Sequence, residues 1–119
     1  MLSIIKKDER ICDYDEASFT NSFYSLLDGG RELGTASMEA YADGTNYVAR
    51  LDVIEGERGK GYGTAMLHML REIYGSLVIT PDNSDAARLY DRLGTSLVGT
   101  RQYDESFFAL DNGFGVYAI

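Results

Sequence analysis

From Asn21 to Ile54 the apolar residues fall into strand-length runs separated by Asp-Gly turns, and from Tyr62 onward they recur at helical spacing. Residues 22–27, the turn Asp28-Gly29-Gly30 and residues 32–41 predict a hairpin. Asp43-Gly44 then turns the chain into residues 47–54, β-branched and aromatic enough for a third antiparallel strand. A glycine-rich turn follows, and behind it Tyr62, Met66, Met69, Leu70 and Ile73 share one face of a helix. Residues 76–80 are a short continuous apolar run, which a strand-helix-strand crossover places parallel to the strand before the turn. Pro81 stops that run, and Asp82, Asn83 and Asp85 supply capping and first-turn acid for a second helix. Its apolar face holds Ala86, Leu89, Tyr90 and Leu93, with Arg88 and Arg92 outside it and Gly94 at its end. Residues 96–100 and 113–119 read as closing strands joined through residues 103–112. Before Asn21, residues 3–6 suggest a first strand, whereas Asp8-Glu9-Arg10 and residues 13–16 read as a turn and a solvated segment or short helix.

These elements amount to one α/β domain of the α+β type over residues 1–119, with a mixed, centrally antiparallel sheet. A hydrophobic fraction of 45% with a single proline is that of a folded globular chain. No apolar run is long enough to span a bilayer, and no secretory pattern opens the chain. With the lone Cys12, these features lead to the expectation of a cytoplasmic protein that does not act at a membrane. The formal net charge of −8 repels phosphodiester backbones, so nucleic acid is not expected as a partner. The same charge suits a small-molecule amine or a basic protein, or it simply keeps the domain soluble.

The candidate chemistry lies in the turn, where Gly59, Gly61 and Gly63 allow positive φ and close approach of a ligand, and a helix N-terminus follows. Phosphate is the natural anion for such a site. Two familiar phosphate loops do not fit: Lys60 is followed by Gly61 rather than Ser or Thr, and the sixth position from Gly59 is Thr64 rather than glycine.

Arg58-x-x-Gly61-x-Gly63 after a strand resembles the pyrophosphate motif of the GCN5-related N-acetyltransferase (GNAT) family. Asn83-x-x-Ala86-x-x-x-Tyr90-x-x-x-Gly94 resembles the family's second signature, and together they cover roughly residues 41–99. The chain departs from the pattern at Thr95, where family members commonly carry an aromatic residue. It also departs before Asn21, where little room is left for the helices that usually follow the first strand.

The resemblance implies a GNAT-like sheet of about six to seven strands with a splayed parallel pair, two main helices and a reduced N-terminal helical region. It implies acetyl-coenzyme A as co-substrate, no metal, and direct attack by a primary amine. Gly59, Lys60, Gly61, Tyr62, Gly63 and Thr64 would hold the pyrophosphate with Arg58, Asn83 would join the cofactor site, and Leu51 and Val53 would pair with the pantetheine arm. An N–H near Val53 would serve as oxyanion donor, a contribution of roughly 3 kcal/mol. Tyr90 would contact the cofactor and donate to the departing thiolate, and Asp52 and Glu39 are the carboxylates nearest to act as base. A cofactor-binding module without turnover and an acidic interaction protein are the alternative readings. A homodimer would supply a wall to a shortened acceptor side.

Overall fold

The computed structural model describes residues 1–14, 18–81, 83–96 and 117–119. Its first half is an antiparallel meander of β1 (Leu2–Asp13), β2 (Ser18–Asp28), β3 (Arg31–Tyr41) and β4 (Asn46–Val53). Gly29 and Gly30, at φ 59° and 92°, make the tight link between β2 and β3 that the sequence predicts. α1 (Tyr62–Tyr74), β5 (Val78–Ile79), α2 (Ser84–Leu93), β6 (Thr95–Ser96) and β7 (Tyr117–Ala118) complete a seven-stranded sheet in the order β1-β2-β3-β4-β5-β7-β6. Every neighbouring pair is antiparallel except β4 and β5. Residues 15–17, 82 and 97–116 lie outside the described residues, and with them parts of the expected polar run, of the second helix's cap and of both closing strands.

The N-terminal expectation requires correction. Asp8-Glu9-Arg10 is no turn, because β1 runs unbroken to Asp13 against β2. β1 is an edge strand with charges along it, Lys6 paired with Glu9 and Arg10 with Asp8, so it lacks the apolar face by which strands are recognised. A bulge at Lys7 also breaks its alternation, since Lys6 faces Tyr24 while Asp8 faces Phe23.

α1 packs its Met66, Leu67 and Leu70 against Leu26, Leu33, Ala36 and Met38 of the meander, and all of these are buried. At roughly 2 to 5 kcal/mol lost per Leu or Met cut to Ala, this layer is what holds α1 on the sheet. Ile73, expected on that face, is 51% exposed. Tyr74 takes the inner position and its hydroxyl meets that of Tyr24 at 2.9 Å, so the buried face lies one residue round from the expected one. α2 buries Tyr90 as expected, with Ala86, Leu89 and Leu93 packed partly against the core.

Two departures from regular geometry prepare the site. Ser37 pairs with Arg50 but Met38 pairs with Val48, so Ala49 is an extra residue in β4. The parallel ladder with β5 comprises only Tyr47–Val78 and Val48–Ile79, and it ends where that bulge begins and shortly before Pro81. A bulge sharpens the local twist, and proline has no N–H for a ladder, so β4 continues to Val53 without β5 beside it.

Close backbone approach dictates glycine at two positions. A Cβ on Gly94 would run into the backbone carbonyl of Ala118, and Gly94 itself is extended, so closeness to β7 rather than a left-handed turn requires it. A Cβ on Gly34 would lie 2.6 Å from the Asp52 carbonyl and 2.8 Å from the Met66 methyl. Gly34→Ala must therefore move β4 or α1, and we expect a loss of about 1 to 3 kcal/mol in urea denaturation with an unchanged m-value.

Candidate functional site

The parting of β4 from β5 exposes a particular set of backbone groups. The Ile54 N–H donates to the Leu33 carbonyl at 2.9 Å, so even-numbered residues at this end of β4 point their peptide groups toward β3. Leu51 and Val53 point theirs the opposite way, into a cleft of about 560 Å3. The Val53 carbonyl accepts a hydrogen bond from Arg58 Nε at 3.1 Å, which leaves the Val53 N–H toward the cleft.

The far wall of the cleft is the glycine turn. Gly59 and Gly61 adopt φ of 81° and 84°, a region open to glycine at little cost. Gly61 is the N-cap of α1, where no side chain accepts a hydrogen bond, and no acid occupies the first turn. The N–H groups of Tyr62, Gly63 and Thr64 thus begin a helix without an intrahelical acceptor, at the positive end of its dipole. All three residues line the cleft together with Arg58, Gly59 and Gly61. α2 begins quite differently. Asn83 Oδ1 accepts the Ala86 N–H at 2.8 Å, and Asp85 stands in the first turn. Asn83 also borders the cleft, so its amide NH2 is the group it can offer a ligand.

The expected site residues do not all converge. Lys60 is on the turn but its ammonium is held 2.9 Å from Glu57 and is not part of the cleft lining. Asp52 lines the cleft with its carboxylate 2.7 Å from Arg50 Nε. Glu39 lies opposite Tyr47, three residues along β3 from the Ala36–Leu51 pair, which is roughly 10 Å away. There it accepts the Tyr41 hydroxyl at 2.5 Å, and burial, with this carboxylate beside it, pushes the Tyr41 phenol above its ordinary value. Tyr90 is 8% exposed, with its ring edge-on to Tyr117 at 6.2 Å between centroids, and the neighbouring Leu89 is the α2 side chain that lines the cleft.

Glu57 and Leu89 are cleft residues that the sequence reading passed over. Glu57 was legible as an acid three residues before Lys60. Its second partner, Arg31 at 2.8 Å, comes from the β2–β3 hairpin and required the fold. Among the described residues no cluster of three or more histidine, cysteine or acidic side chains forms a metal site, and no helix is long and apolar enough to cross a membrane.

Known proteins share this fold. A family model described as an acetyltransferase (GNAT) domain matches residues 20–94, more than half of the chain. No curated protein matches in a sequence search. Among solved structures, the ribosomal-protein-S18-alanine N-acetyltransferase from Escherichia coli superposes with a TM-score of 0.63 at 15% identity, over 100% of this chain and 93% of that one. A GNAT family acetyltransferase from Elizabethkingia anophelis with acetyl-CoA bound gives a TM-score of 0.62 at 13% identity, over 99% and 97%. The IAA acetyltransferase from Bacillus cereus gives 0.58 at 19%, over 83% and 77%. Other matched acetyltransferases are longer, and the chain spans 55% to 70% of their length. The site is built on a GNAT fold, and the chain belongs to the GNAT acetyltransferase family.

The hydrogen bonds from Lys60 and Arg31 hold the Glu57 carboxyl below its usual range. A carboxylate depressed on folding stabilises the fold above its unfolded pKa, and that contribution is lost as pH falls through the folded value. The stability difference between wild type and Glu57→Gln should therefore be constant above about pH 5.5, begin to shrink as pH falls below the unfolded value near 4.3, and level off only below the depressed folded value. Thermal melts across a pH series read this directly.

Proposed function

We propose that the chain transfers an acetyl group from acetyl-coenzyme A to a primary amine by direct attack in a ternary complex. The observation that carries this reading is the continuity of the cleft, from the unpaired backbone edge at Leu51 and Val53 to the uncapped start of α1. An extended amide-bearing arm can pair with the first, and a pyrophosphate can sit on the second. The acetyl-CoA bound to the Elizabethkingia anophelis acetyltransferase supports the choice of donor.

The amine nitrogen would add to the thioester carbonyl, and the Val53 N–H would stabilise the oxyanion. Collapse breaks the C–S bond, and the products are an amide and the coenzyme A thiol. An alkylamine with pKa near 10.4 must first lose its proton, which costs roughly 4 to 5 kcal/mol at pH 7. We take Asp52, on the cleft wall with its carboxylate 2.7 Å from Arg50 Nε, as the group that would receive it through water. The resemblance to the family's second signature, rather than the cleft lining, is the ground for having Tyr90 hydrogen-bond the developing thiolate. Reference values near 10 for a phenol and 8.5 for a thiol make complete proton transfer about 2 kcal/mol uphill, so the phenol shares its proton and solvent completes the transfer.

Only four residues separate β1 from β2, which favours a second reading in which acetyl-coenzyme A binds without turnover. Calorimetry with acetyl-coenzyme A, followed by mass spectrometry of pooled amines and peptides, separates the two. Binding with product formation supports transfer, binding alone supports the module, and neither would refute both. For the active protein we expect Tyr90→Phe to lower kcat by about 10²-fold while acetyl-coenzyme A affinity stays within about threefold. An unaffected kcat would remove Tyr90 from the reaction.

A further inference from the structure

A second cleft, of about 390 Å3, lies against β1 to β4, and among the described residues Asp52 is the one it shares with the first. Phe23, Thr35 and Ser37 belong to its lining, with Lys7 contributed by β1 and Arg50 by β4. Both cations owe their position to bulges. The extra residue in β4 sets Arg50 opposite Ser37 and two residues from Asp52, so those three share a face of the sheet. In β1 the extra residue is Lys7 itself, displaced from the ladder at the level of Tyr24 and Phe23.

The charges there are unevenly satisfied. Asp8 and Glu9, the acids adjacent to Lys7, are engaged by Arg10 and Lys6. The Lys7 ammonium has no acidic partner among the described residues. Across the cleft, Arg50 uses Nε on Asp52, and the rest of its guanidinium fork remains a donor. β1 and β4 are three strand spacings apart, about 14 Å, so the two long side chains reach over a trough wide enough for a small molecule.

We propose that this trough is the acceptor site and that it selects amines carrying an anionic group, a carboxylate or a phosphate. This rests on the transfer reading above. The amine would approach Asp52, where the two clefts meet, the body would lie on Phe23, and the anionic group would be held by Lys7 and the free edge of Arg50. The net charge of −8 argues for a basic acceptor, but at physiological salt charges beyond about 8 Å are largely screened, and the cations in the trough decide.

The test compares matched amines: phenylalanine with phenylethylamine, tyrosine with tyramine, and O-phosphoethanolamine with ethanolamine. Thiol release from acetyl-coenzyme A gives kcat/KM for each, and calorimetry without the donor gives binding. The member carrying the carboxylate or phosphate should exceed its analogue without that group by about tenfold or more, the scale of one charge-assisted hydrogen bond. The carboxylate and phosphate pairs show which group is preferred. Lys7→Gln should collapse that ratio toward one, while Arg71→Gln, exposed on α1, should leave it standing. Equal or better use of the amines lacking a carboxylate or phosphate, or a Lys7→Gln variant that lowers both members alike, would overturn the proposal. Lys7-dependent binding of the carboxylated amines without thiol release would keep this site and refute the transfer. Turnover confined to amines without an anionic group, polycationic ones included, would do the reverse.

Discussion

Two hydrogen-bonded residue pairs, Tyr47 with Val78 and Val48 with Ile79, set the conditions for everything at the candidate site. They tie the two halves of the sheet together and then stop. With the bulge at Ala49 on one side and Pro81 on the other, the strands cannot remain in register, and the peptide groups of Leu51 and Val53 are left without β5. Buried backbone groups are costly to leave unpaired, so a sheet ordinarily closes such a gap. Here the gap is open to a ligand, and the hydrophobic layer of Met66, Leu67 and Leu70 keeps α1 and its N-terminus fixed beside it.

The electrostatics of the cleft are local. An acidic chain presents at this turn a helix dipole, Arg58 and a lysine held by Glu57, so an anion meets oriented N–H groups before it meets side-chain charge. Arg58 is itself bonded to the Val53 carbonyl, which links the position of the turn to that of the strand edge. The two parts of the cleft are therefore coupled mechanically as well as by sequence proximity.

Local chemistry was readable in the sequence wherever it is governed by neighbours in the chain. The Gly29-Gly30 turn, the left-handed glycines before α1 and the Asn83 cap are all cases of one residue serving its own backbone, and each was legible. What depends on the partner strand was not. β1 lacked an apolar face because it is an edge strand, and Ile73 gave way to Tyr74 because the Tyr24 hydroxyl on another element supplies a partner. Glu39 was grouped with Asp52 by strand logic, but register sets them at different ends of the β3–β4 ladder. The positions of Lys7 and Arg50 depend on bulges, which leave no mark in residue type.

The uncapped start of α1 also bears on how much of the protein is folded. A good N-cap side chain contributes about 1 kcal/mol, and this helix begins without one. An anion seated there would supply the missing acceptor, and at a hundredfold excess over its Kd it would add about 2.7 kcal/mol to the free energy of unfolding. With such an anion bound, the turn would also act as a conditional stabiliser, so that turnover of the polypeptide by cellular proteases would slow when the anion is plentiful and quicken when it is scarce.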